Sequence, residues 1–185
     1  MRRSSLSLAI ASIALLAAAC GPEQPVAPVV ESVSNETLDI RLDPLPTDFA
    51  VAVNDGRRLE LVPAEARVGG RVSFEVGDPE PLVDLVAAVN RHRFQIEAKP
   101  GAEYKGGQEL VTPHGSAFYS RGRFLDGTET VEETVVVLEH PSGSRLLIIS
   151  YRYPAAGASS FRVQQLLDPV RVLQVPGSGA TAGDQ

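Results

Sequence analysis

The stretch TVEETVVVLEHPSGSRLLIISYRYP, residues 130–154, decides the fold. Thr130–Glu139 and Arg145–Tyr153 read as two strands joined through Pro141-Ser142-Gly143-Ser144, a run of turn-forming residues. Inside them, Val135-Val136-Val137-Leu138 and Leu146-Leu147-Ile148-Ile149 are apolar at every position. Side chains on a strand point alternately to its two faces, so an unbroken apolar run predicts a strand covered on both sides. The pair is therefore expected at the centre of a sheet.

Working outward, Phe49–Val53 and Arg58–Pro63 read as strands linked at Asn54-Asp55-Gly56, a strong hairpin signal. Arg71–Val76 alternates Val72, Phe74 and Val76 with polar neighbours, as a half-buried strand does. Asp78-Pro79 offers an N-cap and a first-turn proline, and the helix expected after it lines up Leu82, Leu85, Val86 and Val89. Arg91 and Arg93 close that helix with positive charge at its C-terminal end. Arg93–Lys99, Glu109–Thr112 and Ser116–Phe124 are further strand candidates, and Lys105-Gly106-Gly107 reads as a turn. After the central pair, Ser159 or Ser160 caps a short helix carrying Val163, Leu166 and Leu167, which Asp168-Pro169 ends. Together these elements predict an α+β fold: a single, mostly antiparallel sheet with two helices packed on it.

A strand trio, a helix, a long-stranded meander and a terminal helix, spanning roughly 49–173, resemble the PsbP-like fold, a group that includes bacterial lipoproteins. The resemblance rests on TVEETVVVLEH-PSGS-RLLIISYRYP followed by FRVQQLLDPV. It is one of layout, and it implies a non-enzymatic binding or assembly module that acts through a partner.

The first twenty residues give an address. Arg2 and Arg3 precede an apolar run from Leu6 to Leu16, and Ala17, Ala18 and Ala19 follow, the layout of a secretory signal. The apolar run is short of the ~20 residues that span a bilayer. Cys20, the only cysteine of the chain, comes next. This arrangement resembles a bacterial lipobox, which implies a diacylglyceryl group on Cys20, cleavage just before it and acylation of the new amino group. Ala17 stands where that family prefers leucine. The three alanines also satisfy the rule for ordinary signal cleavage, a reading that releases a soluble chain beginning with a free thiol. Gly21, in a place where relatives retained in the inner membrane carry aspartate, points to the outer membrane.

The expected organisation is a signal over 1–19, a lipid-anchored tether over 20–37 with three prolines, one globular domain over 38–175 and a Gly/Ser/Ala-rich tail over 176–185. The formal charge of −6 counts Arg2 and Arg3, so a chain cut before Cys20 is more acidic by two charges. An acidic body without a basic run argues against nucleic acid as a partner. It argues equally against docking on anionic lipid through charge, leaving the lipid on Cys20 as the contact with a membrane.

No motif for catalysis, cofactor or metal emerges. His92, His114 and His140 lack a second His or Cys at ligand spacing and read as solvated loop residues. Glu129, Glu132, Glu133 and Glu139 crowd one strand, but adjacent Glu132 and Glu133 point to opposite faces, so they read as a charged strand end. Ser116 follows His114-Gly115 without a nucleophile elbow, and Lys105-Gly106-Gly107 lacks the remainder of a phosphate loop. The candidate binding surface is Tyr119, Arg121 and Arg123, which alternation puts on one strand face with Phe118 and Phe124 on the other. Two arginines beside an aromatic ring suit a carboxylate or phosphate. The sequence thus supports a membrane-anchored, non-catalytic interaction or assembly module of the cell envelope with a protein partner, or alternatively an extracytoplasmic small-ligand or ion-binding domain.

Overall fold

In the computed structural model, which describes residues 31–64, 69–157 and 168–175, the two apolar strands lie inside a seven-stranded sheet. They are β8 (Glu129–Glu139) and β9 (Leu146–Pro154), paired antiparallel with Val136 opposite Ile149. On one side β7 (Gly115–Asp126) and the edge strand β6 (Glu103–Thr112) follow. On the other come β5 (Arg71–Val76), β4 (Leu59–Pro63) and β3 (Phe49–Asn54). Every pairing is antiparallel.

Both faces of the central pair are covered, as the unbroken apolar runs require. Val135, Val137, Leu146 and Ile148 face α1 (Leu85–Glu97), where Ala88, Leu85 and Val89 meet them. Val136, Leu138, Leu147, Ile149 and Tyr151 face the other way, into the main core. That second face is closed by a separate three-stranded sheet of β1 (Val33–Asn35), β2 (Ile40–Leu42) and β10 (Leu173–Gln174). Ile40, Leu42 and Leu173 bring its apolar side chains to the core, joined by Val170 from the helical turn before β10. The expectation of a single sheet is corrected here. Strands of two or three residues leave too little pattern to read, and only the core beneath them makes them form.

Other expectations are also corrected. Strand β1 falls inside the span read as a tether over 20–37, so the folded part reaches back at least to Val33. Helix α1 is capped by Asp84, whose side chain accepts a hydrogen bond from the Ala87 N–H at 2.8 Å, rather than by Asp78. It continues to Glu97 through residues read as a strand, because Ile96 packs fully buried on Phe124 and Val131. Its inner face is Ala88, His92 and Ile96, while Leu82 and Val86 are exposed. Lys105-Gly106-Gly107 is no turn but the middle of β6, where a register shift between Tyr104 and Gly106 makes a bulge. Gly106 takes φ +92°, and a Cβ on Gly107 would run into the backbone carbonyl of Tyr119. Residues 168–171 are helical and pass beyond the stop read at Asp168-Pro169; the earlier residues read as that helix, the signal, Cys20 and the tail lie outside the described residues.

Polar side chains tie the small sheet to the large one. Asn35, buried, donates to Asn54 Oδ1 (2.8 Å) and to the Asp55 carbonyl (2.7 Å), holding β1 on the β3–β4 turn. His140 Nε2 donates to the Leu38 carbonyl (3.0 Å), while its Nδ1 accepts from the Ser142 N–H (3.1 Å). His114 Nε2 donates to the Val170 carbonyl at 3.1 Å.

Two outcomes are expected. Gly107→Ala forces β6 away from β7 at a backbone contact and lowers unfolding free energy by about 1–3 kcal/mol, read from urea denaturation. His140 is locked neutral by an acceptor role at Nδ1, and burial lowers its pKa from the ordinary value. Its contribution to stability is full above the ordinary histidine range and declines as pH drops through it. Thermal melts between pH 7.5 and 5.5 register that decline in the native protein, and it shrinks in His140→Gln.

Candidate functional site

Adjacent Glu132 and Glu133 lie near one end of β8 and point to opposite faces of the sheet, each into its own polar cluster. Cross-strand register builds the first. Glu132 stands opposite Arg123 of β7 and Tyr153 of β9, and Arg123 stands opposite Glu103 of β6. Arg121 follows two residues along the same face, and the β6 bulge brings Lys105 beside it.

Glu132 is 1% exposed and accepts from every side. Its Oε1 takes Arg123 Nη2 at 2.7 Å and Lys105 Nζ at 3.1 Å. Its Oε2 takes Arg121 through Nε (3.0 Å) and Nη2, together with the Tyr153 hydroxyl at 3.2 Å. Burial pushes the Glu132 carboxyl up, but the hydrogen bonds from Arg121, Arg123 and Lys105 outweigh it and hold the pKa at about 2. The three cations keep part of their side chains in solvent, 25% for Lys105, 39% for Arg121 and 38% for Arg123. Tyr119 lies on the same face, half-buried against the main core.

The second cluster sits under α1. His92, 5% exposed, donates from Nε2 to Glu133 Oε1 at 3.1 Å, since a carboxylate can only accept. Its Nδ1 contacts the hydroxyl of fully buried Ser120 on β7. Lys99 Nζ lies 3.7 Å from Glu133 Oε2 and also 3.7 Å from the centre of the Phe124 ring. Burial again opposes ionisation of Glu133, and the His92 hydrogen bond with the Lys99 charge lowers its pKa from the ordinary value.

A serine, a histidine and a carboxylate in line resemble a nucleophile with its base and orienting group. Here the hydroxyl is sealed beneath the helix, so the chain of bonds fastens α1 to β7 and β8 and offers no substrate an approach. Ser116, the serine singled out in the sequence, instead donates to Glu109 Oε1 at 2.9 Å on the exposed β6–β7 end.

The histidine and glutamate readings are thus corrected. His92 and His140 are buried, His114 is half-buried and bonded, and Glu132 and Glu133 are interior partners rather than a solvated strand end. Sequence separation hid this, because His92 lies 28 residues from Ser120 and 41 from Glu133. The one available signal was a pair of glutamates amid an apolar strand, which no buried position tolerates without cations to meet it. Lys105, read from sequence as part of a turn, joins the cluster because the β6 bulge turns it toward Glu132. Among the described residues no group of three His, Cys, Asp or Glu side chains is placed to hold a metal, and no helix is long and apolar enough to cross a membrane.

Removing Glu132 tests the first cluster. Glu132→Ala is expected to cost about 3 kcal/mol, the low end for breaking a buried ion pair, because its cations can turn into solvent. The stability Glu132 supplies is present above pH 4.5 and is lost as pH falls toward about 2. An acid titration of native protein is therefore steeper across that window than one of Glu132→Gln. In the second cluster, Ser120→Ala strips His92 Nδ1 of its partner and costs about 1–3 kcal/mol by chemical denaturation.

No protein-family model and no curated protein matches the sequence. Among solved structures the fold is similar to that of the Ran-binding protein Mog1p of Saccharomyces cerevisiae, at 16% identity over 78% of this chain and 94% of that one, with a TM-score of 0.55. A protein of Bacteroides thetaiotaomicron is similar at 10% identity over 80% of this chain and 49% of its own, with a TM-score of 0.53. Cyanobacterial PsbP from Synechocystis is similar at 12% identity over 84% of this chain and 99% of that one, with a TM-score of 0.50. At such identities the likeness is one of fold, and it agrees with the PsbP-like layout read from the sequence.

Proposed function

We propose that this chain is a lipoprotein of the cell envelope, anchored through Cys20 and working as a non-catalytic interaction or assembly module. In this reading residues 1–19 are the cleaved signal, the segment from Cys20 to the start of β1 is the tether, and 176–185 are a tail. The domain faces the periplasm, with the outer membrane favoured by Gly21. The observation that carries the reading is the cationic end of the sheet. Lys105, Arg121 and Arg123 are fixed by a buried carboxylate yet reach solvent, which suits recognition of an acidic group on a partner. The fold's occurrence in a Ran-binding protein supports partner binding as a use of this architecture. The alternative of an extracytoplasmic small-ligand domain draws on the same cations.

Two measurements check the reading. Intact mass of membrane-fraction protein is expected to match residues 20–185 plus acyl groups, with that form absent in Cys20→Ala; an unmodified mature chain in the soluble fraction overturns the anchor. A photocrosslinking side chain at Gln108, opposite Tyr119 in the β6–β7 register, is expected to trap a partner in cells. Lys105→Gln and Arg123→Gln should each diminish the product. A product that persists at full yield in both variants removes this end of the sheet as the contact.

A further inference from the structure

The first cluster holds more positive charge than its carboxylate neutralises. Lys105, Arg121 and Arg123 converge on Glu132, which leaves a surplus of two charges around that carboxylate, offset in part by the exposed rim carboxylate of Glu103 beside Arg123. Glu103 stands at the rim, 61% exposed and 3.9 Å from Arg123 Nη1, too far for a hydrogen bond. Other ion pairs of the surface match one cation with one anion, as Arg93 does with Glu97, Arg58 with Glu60 and Arg41 with Asp43.

The donors are in surplus too. An arginine carries five N–H groups and a lysine three. Glu132 takes two from Arg121, one from Arg123 and one from Lys105. Most of the cluster's N–H groups have no acceptor among the described residues, and Arg123 Nε has none although it is buried. Glu132 meanwhile holds the guanidinium groups in position, so a ligand meets forks already ordered and avoids the entropy of ordering them.

Planar guanidinium forks match carboxylate and phosphate alike. Charge separates the two. A carboxylate brings one negative charge, whereas a phosphate monoester brings about 1.5–2 near neutral pH and three acceptor oxygens. We infer that Lys105, Arg121 and Arg123, held in place by Glu132, form a binding site for a dianionic phosphoryl group. This rests on the reading above that the cationic end is the contact surface, and names the chemistry it takes. The group can belong to a soluble phosphate ester or to a phosphatidic acid headgroup.

The test titrates the full chain, in detergent micelles, with inorganic phosphate. The guanidinium Nε–H signals of Arg121 and Arg123 are followed by 1H–15N spectroscopy, with sodium chloride at equal ionic strength as control. A saturable shift with phosphate alone is expected; no shift, or the same shift with chloride, overturns the inference. Lys105→Gln leaves both arginines on Glu132, so the fold is retained, and phosphate affinity drops roughly tenfold. Glu103→Gln, which removes a rim anion and no hydrogen bond, raises affinity about two- to threefold. Unchanged affinity in both variants overturns the inference. Dihexanoyl phosphatidic acid binding more tightly than phosphate assigns the lipid headgroup as source, and equal binding assigns a soluble one. Should Lys105→Gln abolish the Gln108 crosslink while phosphate produces no shift, the contact surface stands and the phosphoryl assignment falls.

Discussion

Covering both faces of the β8–β9 pair is the constraint from which the remaining architecture follows. A four-residue apolar run in each strand presents as much hydrophobic surface upward as downward, and one layer cannot cover both. Helix α1 takes the face of Val135, Val137, Leu146 and Ile148. The small sheet takes the face of Val136, Leu138, Leu147 and Ile149, although its strands are two or three residues long and have no independent stability. Asn35, His114 and His140 supply the directional bonds that fix where this second layer lies, since apolar packing alone is not directional.

Toward the Glu129 end of β8 the apolar pattern gives way to charge, and the same geometry turns a packing problem into an electrostatic one. Glu132 and Glu133 occupy positions continuous with the two cores, so each must be met by cations or by a histidine within hydrogen-bond reach. The helix face answers with His92, Ser120 and Lys99, a closed set whose partners are all accounted for. The opposite face answers with three cations for one buried carboxylate, with Glu103 at the rim, and those cations stay partly exposed. A matched cluster is sufficient to hold a helix. The mismatched one, built from β6 to β9, keeps cationic donors without acceptors among the described residues, and for that reason recognition is proposed there.

How far the sequence discloses these features depends on whether the controlling contacts are local. The hairpin residues at 54–56, the alternation of 71–76 and the double-faced runs of 135–138 and 146–149 are local patterns, and the structure carries strands at each. Opposite orientation of Glu132 and Glu133 is equally local, being the pleat of a strand. Helix α1 shows the limit: its apolar residues fit more than one registration, and only the burial of Ile96 against Phe124 and Val131 selects the face and carries the helix through 93–97.

By itself, then, the amino-acid sequence determined an antiparallel α+β body with β8 and β9 at its centre, a single cysteine after an apolar run, and two arginines on one strand face. Those are matters of composition and period, set by residues within a few positions of one another. Only the tertiary structure decided that a second sheet closes the core and that Lys105 joins the arginines across a bulge. It also decided that Glu132 is their buried anchor and that His92 and His140 are interior fasteners. Each of these depends on contacts between different strands or layers, from 9 residues apart for Arg123 and Glu132 to 102 for His140 and Leu38, and chain order holds no record of them until burial forces every buried group to find its partner.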